Sequence, residues 1–336
     1  MSIATTRLGR TGLKISRLAL GTMTFGLQTD EEVSRQILDK AVAGGINFID
    51  TADVYPMGGT VETTGRTEEI IGRWLHDGGS ARRASVIVAT KAFNPVGPHP
   101  WDQGNSRKHL LAAIDVSLRR LQTDHVDLYQ LHFDDPHTPL DETLEALDTI
   151  VRSGRARYIG VSNFMAWRLA RALGRSEMRN LAKFVSVQPR YSLLFREIER
   201  ELLPMAAEEG LAVIPYNPLA GGLLTGKHDP NSKPADNSRF TLGTSGAMYS
   251  KRYWNERSFD TVGRLQALAA DAGMPLATLA VAWVMANPAI TAPLLGASRP
   301  EQLDATLAAA GVTLAVDLKA ELDALTAEYR KGDAPR

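Results

Sequence analysis

The 336-residue chain has no cysteine. That removes a disulfide framework, a thiolate metal site and a cysteine nucleophile. It has no surplus of either charge, since Lys plus Arg and Asp plus Glu both total 38. A neutral balance argues against nucleic acid or an anionic membrane as the main partner. No apolar run approaches the ~18 residues of a membrane span. The opening segment, Met1 to Arg10, lacks the apolar core of a secretory signal. Together these absences predict a cytoplasmic protein that engages neither nucleic acid nor membrane. Hydrophobic residues make up 44%, an ordinary globular share that allows one large core or two modest ones.

What is present is a regular alternation. Short, β-branched apolar runs near 18–22, 47–51, 85–90, 126–132, 156–161, 184–188, 212–216 and 291–295 lack a clean polar alternation. That suits strands buried on both faces of a parallel sheet. Helical runs separate them at 30–44, 66–77, 106–121, 140–153, 165–174, 197–209, 259–272, 275–286 and 300–309. Asp30 and Ser106 suit helix starts, and Gly44, Gly210 and Gly273 suit helix stops. Eight strands each followed by helix predict an α/β fold, a (β/α)8 TIM barrel, with residues 1–336 as a single domain. The runner-up, a doubly wound sheet, expects G-x-G-x-x-G after the first strand. The first strand here ends Leu20-Gly-Thr-Met-Thr-Phe-Gly26 instead. An N-terminal β-hairpin around Arg10-Thr11-Gly12 is expected to plug the barrel bottom. A long loop at 219–258 and an extra C-terminal helix at 317–330 complete the reading.

Barrel enzymes build their sites at the C-terminal ends of the strands. Strand two ends at Asp50 with Tyr55 beyond it, strand three at Lys91 and strand four at His132. Strand five ends at Ser162-Asn163, strand six at Gln188 and strand seven at Tyr216-Asn217. Strand eight leads through Ser298-Arg299. Taken singly, Asp50 could cap a turn, Ser162-Asn163 could cap a helix and His132 could be a core histidine. Their convergence on one rim favours a proton-transfer site. A phenol has an ordinary pKa near 10 and donates poorly at neutral pH. An adjacent ammonium is expected to pull that value down, a carboxylate to aim the ammonium, and an imidazole to bond a carbonyl oxygen.

Two patterns look like other chemistry. Gly221 to Lys227 has Walker A spacing, but His228 stands where Ser or Thr should hold magnesium, and the run follows strand seven. It is not a P-loop, though its amides and Lys227 could hold a pyrophosphate. Asp134, Asp135 and His137 lack metal-ligand spacing and read as solvated loop charges.

With these residues in place, the chain resembles the aldo-keto reductase family from about Leu8 to Ala310. The resemblance rests on Asn47-Phe-Ile-Asp-Thr-Ala-Asp-Val-Tyr55, Ala89-Thr-Lys91, Asp127-Leu-Tyr-Gln-Leu-His132, Gly160-Val-Ser-Asn-Phe164, Pro218 to Lys227 and Gly296 to Gln302. It implies a barrel that uses NADP(H) to reduce an aldehyde or ketone to the alcohol. Tyr55 would be the proton donor, Asp50 and Lys91 its tuning pair, and His132 the residue that orients the carbonyl. By the same resemblance, Tyr216 would stack on the nicotinamide and Ser162, Asn163 and Gln188 would hold its carboxamide. Gly21, Thr22, Met23 and Asp50 would line the nicotinamide end. Leu219, Gly221, Leu223 and Lys227 would hold the pyrophosphate, and Ser298, Arg299 and Gln302 the adenosine 2′-phosphate. One place departs from the pattern: Thr306 stands where many relatives carry an asparagine against adenine.

The 219–258 loop looks like that of the branch containing bacterial reductases and potassium-channel β-subunits. The substrate implied is a small carbonyl compound in an apolar, aromatic pocket. Met23, Phe25, Val54, Phe93, Trp101, Phe133 and Phe164 are its expected walls, with polar help from Asn94, His99 and Gln103. A homo-oligomer is compatible with this reading. The rivals are a cofactor-holding regulatory subunit and a Schiff-base enzyme using Lys91, the latter disfavoured because Asp50 would keep the lysine charged.

Overall fold

The computed structural model of the protein describes residues 3–236 and 238–331. The chain opens with a hairpin of β1 (Thr5–Arg7) and β2 (Lys14–Ser16), paired antiparallel. The barrel strands follow as β3 (Ala19–Gly21), β4 (Phe48–Asp50), β5 (Ile87–Ala92), β6 (Val126–Leu131), β7 (Ala156–Ser162), β8 (Phe184–Gln188), β9 (Ala212–Val213) and β10 (Leu294–Gly296). They pair in parallel in the order β10-β3-β4-β5-β6-β7-β8-β9. The last gap closes through the Thr291 and Leu294 amides, which donate to Val213 O and Pro215 O, both at 2.8 Å. This is the (β/α)8 barrel.

Helices α1 (Glu31–Ala43), α2 (Arg66–Asp77), α3 (Gly79–Ser85), α4 (Arg107–Leu121), α5 (Leu140–Arg152), α6 (Ala166–Met178) and α7 (Leu202–Glu209) lie between successive strands. Then come α8 (Gly243–Tyr253), α9 (Glu256–Asp271), α10 (Leu276–Met285), α11 (Gln302–Ala308) and α12 (Val316–Leu325). Asp30 and Ser106 cap α1 and α4 by accepting the Val33 and His109 amides. Among the described residues no single helix is long and apolar enough to cross a membrane.

The strands' period of two sorts the interior into layers. Phe48, Ala89 and Leu128 join Leu8 and Ile15 of the hairpin in an apolar cluster that fills the lower barrel. Two residues further along the same strands stand Asp50, Lys91 and Gln130, all buried. The plug therefore makes one end of the barrel apolar and leaves the other to polar side chains. Gly9 holds a positive φ of 58°, and a Cβ there would meet Gly210 O and Val185 O at 2.8 Å, so the hairpin turn seats directly on the strand starts.

Two regions differ most from expectation. Helix α3 begins before the expected strand at 85–90, so β5 starts at Ile87. The 219–258 segment holds a 3-10 turn, Ala220–Thr225, and α8. Tyr253 Oη accepts from Asn217 Nδ2 at 2.9 Å, anchoring α8 to the strand-seven end. Helix α1 stops at Gly44 as expected, and the left-handed turn follows at Gly45 (φ 97°).

Candidate active site

Asp50, at the end of β4, is the most heavily bonded side chain of the rim. Its Oδ1 accepts Gln130 Nε2 at 2.9 Å and Gln188 Nε2 at 2.8 Å. Its Oδ2 meets Lys91 Nζ at 2.5 Å. Lys91 Nζ also donates to Thr51 O at 2.8 Å. No part of Lys91 is solvent-accessible. Burial pushes its ammonium below the ordinary range, opposed by Asp50, Asp53 and Glu68. Asp50 thus caps no turn.

Tyr55 lies beside this pair. Lys91 Nζ stands over its ring face, 5.1 Å from the centroid. The expected lowering of the phenol pKa is not what this geometry gives. Burial, then the Asp50 carboxylate and Tyr249, hold Tyr55 well above its ordinary value, with Arg239 acting against them. The physical reason is first the burial of the hydroxyl and then the negative charge of the Asp50 carboxylate, to which Lys91 itself donates. A raised phenol stays protonated through the neutral range but releases its proton less readily than one with a pKa near neutrality.

His132 follows β6 and is nearly buried. Its ring meets Tyr55 edge-on at 5.8 Å and stacks on Phe133 at 5.2 Å. Burial and the Lys91 charge hold the imidazole well below its usual pKa, so the ring is neutral. Asn94 Nδ2 lies 3.0 Å from its Nδ1.

Ser162 and Asn163 cap no helix; α6 starts three residues later, after Met165. Ser162 Oγ donates to Gln188 O at 2.8 Å, and Asn163 Nδ2 donates to His132 O at 3.0 Å. Asn163, at a left-handed φ of 58°, accepts Tyr216 Oη at 2.9 Å. Burial pushes the Tyr216 phenol up to about 12. Thr22 Oγ1 donates to Asp50 O at 2.9 Å, between the half-buried Gly21 and Met23.

Further along the rim, Ser298 N and Oγ both donate to Gln302 Oε1, at 2.8 and 3.3 Å. Burial and Arg299 lower the Lys227 pKa, so the two cations feel each other. Among the described residues neither has a carboxylate partner, and nor does Arg239, which stands over the Tyr249 ring at 5.5 Å. Such a set suits an anion. Gly221 was expected to offer its amide there, but that amide donates to Asn217 Oδ1 at 2.6 Å. Its glycine identity serves packing, since a Cβ would meet the Tyr249 ring at 2.9 Å. Leu223 has a fully buried side chain in the main core, while Leu219 is partly buried against it. Thr306 is buried and donates to Leu303 O of its own helix, so its hydroxyl faces inward.

The expected pocket walls divide. Val54 and Phe93 are half-buried, and Trp101 and Phe133 are exposed. Phe93 and Phe133 lie 5.5 Å apart. Phe25 is fully buried and Phe164 nearly so. Phe25 has no exposed surface because the turn after β3 folds its ring into the main core, and Phe164 packs against Phe184 there. Asp134 and Asp135 are engaged by Arg168 and by the Asn105 amide.

Sequence reasoning missed Gln130 as a partner of Asp50, Asn94 as the partner of His132, and Arg239. Gln130 carried a usable signal: it lies two residues before His132, hence on the same inward face, and pairs with Lys91 across β5 and β6. The other two reach the site from loops, where no periodicity points.

The arrangement joins a protonated phenol, a buried ammonium–carboxylate pair and a neutral imidazole at one end of the barrel, a set suited to proton transfer. Comparison with known proteins agrees. "Uncharacterized oxidoreductase YrpG" of Bacillus subtilis is 42% identical over 314 residues, covering 92% of this chain and 91% of that protein. A "Probable voltage-gated potassium channel subunit beta" of Arabidopsis thaliana is 36% identical, covering 91% and 90%. "L-glyceraldehyde 3-phosphate reductase" of Escherichia coli K12 is 34% identical, covering 88% and 84%. The model of the Aldo/keto reductase family matches residues 17–327, and the chain belongs to that family of oxidoreductases.

Proposed function

We propose that the protein is an NADPH-dependent reductase of an aldehyde or ketone, that the whole chain acts as one catalytic unit, and that Tyr55 donates the proton. The observation that carries this reading is the closed set at one rim: the buried Tyr55, Lys91 over its ring, and Asp50 fixed by three donors. When bound, the nicotinamide cofactor supplies the hydride. Tyr55 delivers its proton to the carbonyl oxygen as charge develops there. Lys91 stabilises the phenolate left behind, and Asp50 keeps the ammonium aimed. His132 donates a hydrogen bond to the carbonyl and so orients it. Gln188, whose amide nitrogen is committed to Asp50, would hold the carboxamide together with Ser162 and Asn163, and Tyr216 would stack on the nicotinamide. Lys227, Arg239 and Arg299 would hold the phosphates, with Arg299, just before α11, meeting the 2′-phosphate. Val54, Phe93, Trp101 and Phe133 give the substrate an apolar, aromatic surround.

Loss of NADPH absorbance with a panel of carbonyl compounds tests the reaction, and multiple turnovers separate an enzyme from a cofactor-holding subunit. Tyr55→Phe keeps the ring and should lower kcat about 10²–10⁴-fold with NADPH binding intact. Retention of more than about a tenth of kcat, with chemistry limiting, would point to another acid. Arg299→Ala should weaken NADPH binding by about 1.5–3 kcal/mol, the range for hydrogen bonds to charged groups, and NADH binding far less. Equal losses in fluorescence titrations would remove the basis for NADPH preference.

A further inference from the structure

We propose that Asn94 is a positioning residue that sets the tautomer of the His132 imidazole, placing the ring proton on Nε2. The inference rests on the reductase reading for its kinetic consequence, but not for its chemistry. Asn94 lies in the loop after β5, three residues beyond Lys91. Its amide nitrogen stands 3.0 Å from His132 Nδ1. A side-chain amide nitrogen can only donate. A neutral imidazole has one donor nitrogen and one acceptor nitrogen. Nδ1 is therefore the acceptor, and Nε2 carries the hydrogen.

The surroundings hold this arrangement in place. The His132 amide donates to Ala92 O at 3.0 Å, and its carbonyl accepts Asn163 Nδ2 at 3.0 Å. Both sides of the residue are therefore tied to neighbouring strands. The two loops that carry the pair are also joined: Gly104 N donates to Phe93 O at 2.7 Å, and Asn105 Nδ2 donates to Phe133 O at 2.9 Å. Phe133 covers one face of the imidazole, and the Tyr55 ring meets it edge-on. The imidazolium form would be a second buried cation near Lys91, which burial and that charge both oppose. The ring is thus held as a neutral group whose one choice is which nitrogen keeps the hydrogen. Asn94 makes that choice. The consequence is a donor, rather than a lone pair, for a carbonyl oxygen.

The test is a two-bond proton–nitrogen correlation spectrum of the full-length 15N-histidine-labelled protein. His132 is identified by the signals lost in His132→Gln. The expected wild-type pattern has a protonated Nε2 and an unprotonated Nδ1. A protonated Nδ1, or averaged shifts at both nitrogens, would overturn the proposal. Asn94→Leu keeps the volume and removes the donor. Its spectrum should move toward averaged shifts, while circular dichroism and NADPH affinity stay as in the wild type. Unchanged His132 nitrogen shifts in Asn94→Leu would equally overturn the assignment. Carbonyl reduction by Asn94→Leu should fall about tenfold in kcat, the rate equivalent of one hydrogen bond, with KM for NADPH unmoved. If the wild type turned over no carbonyl compound, the reductase reading would fail while the spectra still decided the tautomer.

Discussion

Asp50 and Asp53 sit three residues apart at the end of one strand, both at 2% exposure, in opposite surroundings. Asp50 takes two amide donors and an ammonium. Neither carboxyl oxygen of Asp53 has a hydrogen bond of normal geometry; the Arg120 charge, the Val54 amide and Lys91 lower its pKa but are outweighed by burial and Glu68. Glu68, which has no exposed surface, adds like charge. Arg120 Nη1 donates to the backbone carbonyl of Asp53 at 3.2 Å and to Glu68 Oε2 at 3.3 Å, not to the Asp53 carboxyl. Burial and Glu68 therefore push Asp53 well above the carboxylate range. A buried carboxyl carries charge only where the fold brings donors to it.

Three substitutions would break or sharpen this contrast. The largest effect is expected from Lys91→Met, because the ammonium bonds Asp50 and also acts on Asp53. It should lower kcat by at least about 10²-fold and reduce stability by about 3–5 kcal/mol, the cost of leaving a buried partner uncompensated. Steady-state rates and urea unfolding measure the two. A kcat within tenfold of wild type would remove Lys91 from the chemistry.

Next, Asp50→Asn and Asp53→Asn should separate by activity. Asp50→Asn unpairs Lys91 and should lower kcat by about 10²-fold or more, while Asp53→Asn should stay within about threefold. Equal damage would mean that Asp53 acts in the reaction and that the contrast between the two acids is wrong.

The smallest effect is on stability. Asp53 has a folded pKa above its ordinary 3.8. Between those two values the folded chain keeps a proton that the unfolded chain has released. Stability therefore falls as pH rises through the folded pKa, and the contribution is fully present below about 3.8. Asp53→Asn removes that dependence. At pH 8 the variant should be more stable by about 1–3 kcal/mol, the desolvation cost of one unsatisfied group, and the advantage should vanish toward pH 4. Thermal melts across that range check it. A variant that melts lower than wild type at pH 8 would show that the fold uses the Asp53 charge.

Much of the fold and rim was legible because strands repeat every two residues. Phe48 then Asp50, Ala89 then Lys91, and Leu128 then Gln130 each read apolar below and polar above on an inward face. The hairpin plug was legible through its turn residues. Helices α3 and α8 were not, since both are rich in glycine and serine and have little apolar periodicity. Tyr249 and Tyr253 hold α8 by packing near Gly221 and bonding Asn217, contacts that no local pattern announces. Phe25 was read as a pocket wall because it follows a strand end. A turn after that strand sends it into the core instead.

By itself, the sequence determined the barrel, the rim on which chemistry-bearing side chains gather, and the identity of the phenol, ammonium, carboxylate and imidazole. Only the tertiary structure decided the state each one holds. It buried the Tyr55 phenol beside the Asp50 carboxylate, so the phenol is raised rather than lowered. It gave Asp50 its donors and Asp53 none, and it set Asn94 against His132. The reason is that ionisation depends on burial and on partners delivered by other strands. Gln188, which bonds Asp50, lies 138 residues away in the chain.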